Sequence, residues 1–485
     1  MYDLGIINGK VYTELGFINT NLYVSNGKIA ALSDEMFKCK TIENADGAKI
    51  LPGLIDPHVH FSLTVGNNTS TDDFEKGSIN GLLGGITTYI DFLDPVKKKD
   101  SIKKAFDERY SLAENSASDY AFHSCLANPI DSAEEMIREG LKYGITSIKL
   151  FTTYSNTDRR TYDNYIKELL IHSKENNVRI VIHAENDNLV DYNDRILIKD
   201  HEKSRDSLCE TTEVLKLAQM ARITGGNLYI VHISSGITSD IIAREYRKEL
   251  ENGRIIMESC PHYFIFNSSA YDKCDGYLYT MTPPLRAESE RKLLCSNINY
   301  ISTIGTDHCP FTDNMKNHKF TSETPMGIGG IKYSFLNMYS IFGDSVIKKF
   351  TSNVAKAYNL FPRKGVLLPG ADADRVIFDA SPATKGHVLI LPKEHAANVF
   401  ELSEETASKV FVLAKKIATV LKEVTGCEGV NILQNNGEIA GQTVFHLHMH
   451  IIPRYKGDTA NIKWVQNEVD QAVVDEIISK AKDLL

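Results

Sequence analysis

The chain has 485 residues, of which 42% are hydrophobic and 24% are charged, a composition typical of a folded, water-soluble protein of two or three domains. Its net charge of −9 argues against general affinity for nucleic acids or membrane surfaces, and no apolar stretch is long enough to span a bilayer. The eight cysteines form no Cys-x-x-Cys pair, so we expect a reduced, cytoplasmic protein rather than a disulfide framework.

The first 50 residues predict a small β layer. Short apolar runs alternate there with turn residues, and we interpret Asn8-Gly9 and Asn26-Gly27 as hairpin turns. Part of residues 350–379 is expected to return to this layer. The predicted strands are Leu4–Ile7, Val11–Tyr12, Leu22–Val24 and Ile29–Leu32.

From about residue 51 to residue 349, apolar strands recur with helical stretches between them. The helical spacing is clearest in Asp131–Lys142, Tyr162–Glu175 and Thr211–Ile223. Eight β-then-α units predict a closed (β/α)8 barrel, whose reactive groups belong at the C-terminal ends of the strands. The predicted strands are Ile50–Ile55, Thr87–Phe92, Tyr120–Leu126, Ser147–Thr152, Arg179–His183, Leu228–Ile233, Ile255–Ser259 and Ser302–Thr306.

Candidate metal ligands follow these strands. His58 and His60 are one residue apart, so on a strand end both imidazoles face the same way and could bind one ion; the alternative is a pair of strand histidines with no ligand. Lys149 lies inside an apolar strand, either bridged to a barrel carboxylate or carbamylated by carbon dioxide. The other candidates at strand ends are His183, His232 and Asp307.

Five ordered motifs between Met1 and about Asp379 resemble the hydantoinase/dihydropyrimidinase branch of the cyclic amidohydrolases. The resemblance implies that the barrel hydrolyses a cyclic amide, such as a hydantoin or a dihydropyrimidine. The motifs are Ile55-Asp56-Pro57-His58-Val59-His60, Ser147-Ile148-Lys149-Leu150-Phe151, Val181-Ile182-His183-Ala184-Glu185-Asn186, Tyr229-Ile230-Val231-His232-Ile233-Ser234 and Gly305-Thr306-Asp307-His308-Cys309-Pro310-Phe311.

The resemblance also implies a cofactor, namely two zinc ions or other divalent metals. Their expected ligands are His58, His60 and Asp307 for one ion, His183 and His232 for the other, and a carboxylated Lys149 bridging both. A hydroxide between the ions would attack the ring amide carbon. Asp307 would carry its proton to the leaving nitrogen, and Tyr154 would stabilise the oxyanion.

Two departures from the family pattern affect the expected substrate range. The chain has Met326-Gly327-Ile328-Gly329-Gly330 where hydantoinases have Asn-Gly-Ile-Pro-Gly, and Thr282 where they have serine, both at substrate-binding positions. Dihydroorotase, the closest competitor, has an arginine two residues after the second metal histidine, where this chain has Ser62. Without that guanidinium a bidentate grip on a carboxylate is lost, so dihydroorotase ranks low. Allantoinase is a further, less favoured alternative within the family.

Residues 375–485 contain a second pattern, in which histidines alternate with apolar residues. His446, His448 and His450 share one strand face, and Phe445, Leu447, Met449 and Ile451 share the other. The apolar face is expected to pack on a helix over Glu404–Val424. The stripe of that helix consists of Val410, Leu413, Ala414, Ile417, Leu421 and Val424.

Asp379–Lys393 and Gln442–His450 resemble the histidine triad (HIT) nucleotide-binding family. The resemblance implies an α+β domain that binds a purine nucleotide, with His448 attacking the α-phosphate. A zinc site is the open alternative for the histidine row. The other implied nucleotide-binding residues are Asp379, His387, Asn435, Gln442, Thr443, His446 and His450.

The opening helix and first strand of the HIT family are missing from this sequence. Arg375–Asp379 fits either the end of the amidohydrolase pattern or the start of the HIT pattern. Two hypotheses from different classes therefore stay open. The chain is a working cyclic amide hydrolase, expected to be a homo-oligomer, or it is a catalytically impaired fusion. In the second case its retained activity would be nucleotide binding or phosphoramidate hydrolysis.

Overall fold

The computed structural model of the protein describes residues 1–378, 387–390, 392, 396–442, 447–458, 460 and 471–481. The chain divides into two compact units, Met1–Phe378 and Asp379–Leu485. The first unit contains a β layer and a barrel, and the second contains a small antiparallel sheet with helices. Within the described ranges, no helix is both long enough and apolar enough to cross a membrane.

The β layer is a six-stranded sheet in the order β16-β5-β1-β2-β3, with β4 also paired to β1. Alternate residues of its strands, among them Ile6, Val11, Leu22 and Ile50, form one buried cluster. The strands are β1 (Tyr2–Thr13), β2 (Gly16–Ser25), β3 (Lys28–Ser33), β4 (Cys39–Asn44), β5 (Lys49–Pro52) and β16 (Arg375–Phe378).

The two Asn-Gly pairs of the β layer have different structures. Asn26 and Gly27 have φ angles of 52° and 69° and form the tight turn between β2 and β3, as predicted. The prediction of a hairpin at Asn8-Gly9 is wrong. Both residues lie inside β1, where the pairing with β2 changes register between Ile6 and Gly9. A β-bulge uses the same left-handed residues as a turn, so the sequence signal does not separate the two.

Eight parallel strands form the barrel and pair in chain order from the first to the last. A parallel bridge joins Val59 to His308, and the His60 N–H donates to the His308 carbonyl at 3.0 Å, so the barrel closes at its C-terminal end. The predicted barrel is confirmed. Its strands are β6 (Leu54–Val59), β9 (Ile86–Phe92), β10 (Asp119–Cys125), β11 (Ser147–Phe151), β12 (Arg179–His183), β13 (Leu228–Ile230), β14 (Ile255–Ser259) and β15 (Thr303–Ile304).

The first barrel strand differs from the predicted Ile50–Ile55. The apolar run is split at Gly53 into β5, which belongs to the β layer, and β6, which belongs to the barrel. A Cβ on Gly53 would lie 2.1 Å from Thr87 Oγ1, so only glycine lets the chain pass here. A short hairpin of β7 (Thr64–Val65) and β8 (Asn68–Thr69) then follows β6.

Helices connect the barrel strands. Helix α6 begins at Ser207 rather than at the predicted Thr211, because the Asp206 carboxylate accepts hydrogen bonds from the first backbone N–H groups and so caps it. The helices of this unit are α1 (Phe74–Leu83), α2 (Ile102–Leu112), α3 (Ala133–Leu141), α4 (Asp163–Glu175), α5 (His201–Ser204), α6 (Ser207–Thr224), α7 (Gly236–Glu245), α8 (Arg247–Glu251), α9 (Pro261–Ile265), α10 (Glu288–Ser296), α11 (Asp313–Lys316), α12 (Ser334–Phe342) and α13 (Ser352–Ala357).

The described part of the second unit has an antiparallel sheet in which β19 is the central strand. Met449 and Ile451 of this strand are buried against Val410 and Ala414, as the alternating pattern predicts. Leu413 is 45% exposed, so its assignment to the packed stripe is wrong. The elements are β17 (Val388–Ile390), α14 (Glu404–Thr425), β18 (Gly429–Leu433), β19 (Met449–Arg454) and α15 (Gln471–Ala481).

Candidate functional site

A cavity of about 720 Å³ lies at the C-terminal ends of the barrel strands. Residues that are far apart in the sequence meet there because each follows a different strand of the barrel. The predicted metal-ligand residues that line it are His58, His60, Lys149, His183, His232 and Asp307. The predicted substrate-binding residues Tyr154, Thr282 and Met326 line the same cavity.

His58, His60 and Asp307 form the tightest group in this cavity. Asp307 Oδ1 lies 3.2 Å from His58 Nε2 and 3.1 Å from His60 Nε2. Burial alone would raise the pKa of Asp307, but the two imidazoles together hold it well below its usual range. The three ligand atoms lie within 4.8 Å of one another. An ionised carboxylate beside two imidazoles is a donor set that fits a divalent cation.

Glu258, at the end of β14, orients His58 from behind. Its Oε1 lies 2.7 Å from His58 Nδ1, and Oε2 accepts a hydrogen bond from the Tyr229 hydroxyl at 2.7 Å. The carboxylate is fully buried and accepts a hydrogen bond from Nδ1, so it orients the ring with Nε2 toward Asp307. Burial alone would lower the pKa of His58, but the charges and hydrogen bonds of Glu258 and Asp307 raise it to about 9.

We expect Glu258→Gln to lower the affinity of the His58, His60 and Asp307 group for a divalent metal about 10- to 100-fold, because the His58 imidazole then loses its charged hydrogen-bond partner. Competition against a chromophoric chelator measures this affinity directly. Glu249→Gln is the matched control, since Glu249 is also a buried acid but pairs with Arg222 away from the cavity. Equal metal affinity in Glu258→Gln and wild type would contradict the assignment.

Lys149, His183 and His232 lie next to the first group. The imidazole rings of His183 and His232 are 4.6 Å apart, and those of His58 and His232 are 5.6 Å apart. Lys149 is 2% exposed, and burial lowers the pKa of its amine. Among the described residues, the histidine and acidic ligand atoms of the cavity form one close group of three, which is His58, His60 and Asp307. The second pair therefore stands beside that group and not within it.

Three non-glycine residues of this cavity have left-handed backbones. The φ angles are 67° for Tyr154, 42° for His232 and 50° for Asp307. Such a conformation costs about 1–3 kcal/mol at each residue and persists only where the surroundings fix it. Strain of this kind is typical of functional sites, and the strand ends of this barrel carry it at three predicted site residues.

Tyr154 lies beside His183, and the ion pair between Arg205 and Glu185 contacts both side chains. The two rings are 5.2 Å apart, and the Arg205 guanidinium lies 5.1 Å from the Tyr154 ring centroid. Arg205 donates to Glu185 Oε2 at 2.7 Å, and the same oxygen lies 2.6 Å from His183 Nε2. Burial raises the pKa of the Tyr154 phenol above its usual range, so the hydroxyl stays protonated and can donate a hydrogen bond.

Lys316 connects the two loops that carry Thr282 and Met326, and sequence reasoning did not identify it. Its side chain is 2% exposed, and its ammonium donates to the Thr280 carbonyl at 2.8 Å and the Gly327 carbonyl at 2.6 Å. Burial lowers its pKa to about 7. The two predicted substrate-contacting positions are thus fixed relative to each other by one buried side chain.

The second unit brings some of its predicted residues together. His387 Nε2 lies 2.9 Å from His450 Nδ1, and the rings of His448 and His450 are 5.1 Å apart. Burial, with the neighbouring histidines, lowers the pKa of His450 to about 4. The described part of this unit contains no group of three potential metal ligands within 4.8 Å, so nothing there supports the zinc alternative.

Gln442 and Asn435, which are predicted to lie near the phosphate, form hydrogen bonds within and next to the loop between β18 and β19. Gln442 is 3% exposed; its Oε1 accepts from the Gly437 N–H at 2.8 Å and its Nε2 donates to the Ala397 carbonyl at 2.5 Å. Asn435 Nδ2 donates to the Gly441 carbonyl at 3.3 Å. The predictions for Asp379, Thr443 and His446 lie outside the described residues.

Comparison with known proteins identifies relatives for both parts of the chain. It is 30% identical over 445 residues to D-hydantoinase from Geobacillus stearothermophilus, covering 84% of this chain and 91% of the relative. D-phenylhydantoinase from Escherichia coli O81 (strain ED1a) is 27% identical over 399 residues, covering 77% and 85%. A crystal structure of D-hydantoinase matches with a TM-score of 0.73 at 27% identity, covering 81% of this chain and 88% of that one.

A dihydropyrimidinase structure from Brevibacillus agri NCHU1002 matches with a TM-score of 0.72 at 26% identity, covering 81% of this chain and 87% of that one. Residues 370–457 match the family model described as HIT domain. This match begins before β16, which lies in the β layer of the first unit.

Proposed function

The chain belongs to the hydantoinase/dihydropyrimidinase family of cyclic amidohydrolases, and on this premise we propose that its barrel opens hydantoin or dihydropyrimidine rings with the help of two metal ions. It is a hydrolase of C–N bonds in cyclic amides. The observation that carries the proposal is the convergence of His58, His60 and Asp307 within 4.8 Å at the strand ends of the barrel.

Two zinc ions would be held by the residues already described: His58, His60 and Asp307 for one, His183 and His232 for the other, with carboxylated Lys149 between them. When bound, the ions supply hydroxide near neutral pH and polarise the amide carbonyl. The lowered pKa of Lys149 supports its part, because a neutral amine is the form that reacts with carbon dioxide.

The side chains of the protein would then position the ring and move one proton. Asp307 is ionised, so a carboxylate oxygen can accept a proton and deliver it to the leaving ring nitrogen. Tyr154 keeps its phenolic proton and would donate a hydrogen bond to the carbonyl oxygen as negative charge develops there. Glu185 and Arg205 would keep His183 and Tyr154 in place.

A substrate panel tests this function on the full-length protein. Hydantoin and 5,6-dihydrouracil are the expected substrates, and allantoin is the comparison compound for the less favoured family activity. Ring opening is measured as the loss of the cyclic compound and the formation of the carbamoyl product. Ring opening of hydantoin or 5,6-dihydrouracil supports the proposal, and hydrolysis of neither compound by metal-loaded protein contradicts it.

A second candidate function belongs to the C-terminal unit, where the HIT match and the contact between His387 and His450 support nucleotide chemistry. We expect weak binding of adenosine or guanosine monophosphate and slow phosphoramidate hydrolysis. The physical reason is that β16, inside the matched range, already pairs with β5 in the first unit.

Calorimetric titration and a phosphoramidate turnover assay, on wild type and on His448→Asn, measure this activity. His318→Asn is a control at an exposed histidine of the first unit. Rapid turnover that His448→Asn abolishes would overturn the expectation of weak activity and establish the C-terminal unit as a full catalyst.

A further inference from the structure

Three consecutive charged residues, Asp158, Arg159 and Arg160, follow the Tyr154 turn after β11. The two outer ones have partners outside the cavity. Asp158 accepts a hydrogen bond from Asn128 at 2.6 Å and forms an ion pair with Lys97. Arg160 donates to Asp187 Oδ2 at 3.1 Å.

The backbone of this turn is fixed at both ends. The Tyr154 N–H donates to the Tyr192 hydroxyl at 3.0 Å, the Ser155 N–H donates to Asp187 at 3.1 Å, and the Arg159 N–H donates to the Tyr154 carbonyl at 3.2 Å. The turn therefore presents the side chain of Arg159 from an ordered backbone rather than from a free loop.

Arg159 is half-buried and lines the cavity. Arg205 also lines the cavity, but its guanidinium is paired with Glu185. Among the residues that the structure describes, no carboxylate lies within 4.0 Å of the Arg159 guanidinium. This side chain thus offers an unpaired fork of N–H donors to whatever occupies the cavity.

The charge of Arg159 acts on two other residues that line the cavity. Burial raises the pKa values of the Cys125 thiol and the Tyr154 phenol, and the charge of Arg159 offsets part of the rise in both. Cys125 ends β10 and Tyr154 follows β11, and both line the cavity together with Arg159. Arg159 therefore belongs to the same turn as Tyr154, the predicted oxyanion donor.

Acidic residues also line the cavity, and their negative charges would repel an anionic ligand. They are Asp94, Asp191, Asp194 and Glu323. All of them are exposed, so water and salt screen their charges, whereas Arg159 is half-buried, where a charge-assisted hydrogen bond is stronger. The acids would instead attract a cationic substituent, and the experiment below includes that outcome.

We propose that Arg159 binds a carboxylate on the substituent of the ring substrate, so that the barrel prefers cyclic amides with acidic substituents. This inference rests on the ring-opening function proposed above and names its substrate class. The sequence argument against carboxylate substrates depended on Ser62, which does not line the cavity. Arg159 supplies a guanidinium from the turn after β11, whereas Ser62 follows β6. The residues next to the two metal histidines therefore do not predict this guanidinium.

The test compares three hydantoins in one assay, namely unsubstituted hydantoin, hydantoin-5-acetic acid and its neutral carboxamide. A cationic 5-aminoethyl hydantoin is assayed beside them. The acid and the amide have nearly the same shape, so the ratio of their kcat/KM values isolates the charge. We expect the acid to be favoured by about tenfold to a hundredfold in wild type. In Arg159→Gln the ratio should fall to near one, and in Arg159→Lys it should be intermediate.

Arg195→Gln is the matched control. Arg195 is an exposed cation whose two chain neighbours line the cavity, whereas Arg195 does not. Its ratio should equal that of wild type. An equal loss for all three compounds in Arg159→Gln would show a general electrostatic role and overturn the inference. A wild-type preference for the amide, or for a 5-aminoethyl hydantoin over the acid, would overturn it too.

The two levels of the proposal fail in distinguishable ways. If wild type opens unsubstituted hydantoin but treats acid and amide alike, only the assignment of Arg159 is wrong. If wild type opens none of the three compounds when loaded with metal, the ring-opening function itself is wrong. Circular dichroism and thermal unfolding of each variant separate lost recognition from lost folding.

Discussion

Lys149→Ala is expected to lower kcat/KM for ring opening roughly a thousandfold or more, because it removes the group that would join the two metal ions. The lysine is 2% exposed and lines the cavity together with both histidine pairs. Both expected metal sites would lose this ligand; one would keep His58, His60 and Asp307, and the other would keep His183 and His232 alone.

Lys349→Met is the matched control for the loss of a buried amine. Lys349 is 6% exposed and donates to the Ile301 carbonyl outside the cavity, so its loss is expected to change stability rather than turnover. Ring opening by Lys149→Ala at the wild-type rate, with normal thermal unfolding, would exclude a bridging role for this lysine.

Asp307→Asn is expected to be the second severe substitution, lowering kcat by roughly a hundredfold to a thousandfold or more. Asparagine keeps the shape of the side chain, but it cannot accept the proton or provide the charge that faces His58 and His60. Steady-state kinetics on hydantoin and 5,6-dihydrouracil measure the loss, and metal analysis of the same sample shows whether an ion is still bound.

Asp344→Asn serves as control, because Asp344 is 53% exposed and pairs with Lys49 in the β layer. It should retain the kinetics of wild type. A kcat within a few-fold of wild type for Asp307→Asn would mean that another group moves the proton.

Local patterns were enough to predict the barrel and the set of histidines and acids that meet in its cavity. Strands alternate with helices at regular spacing, and the two histidines one residue apart at the end of β6 both line the cavity. The errors arose where one local signal fits two structures. Asn8-Gly9 is compatible with a turn or a bulge, and the apolar run around Gly53 is compatible with one strand or two.

The groups that sequence reasoning missed depend on tertiary contacts. Glu258 reads as an isolated acid in an apolar strand, and only the closed barrel brings it to His58. Lys316 lies in a short helix of a polar segment, and only the folded loops show that it bonds two carbonyls. Arg159 stands between two other charged residues, so nothing in the sequence distinguishes the one that faces the cavity.

Metal content is the most direct measurement of the central claim. Full-length protein, purified without chelators, is analysed for bound metal by elemental mass spectrometry, and ring opening is assayed before and after chelation and after metal is restored. The account predicts about two divalent ions per chain, with activity lost on chelation and regained on restoration. Fewer than one tightly bound ion per chain, or ring opening that survives complete metal removal, would contradict it.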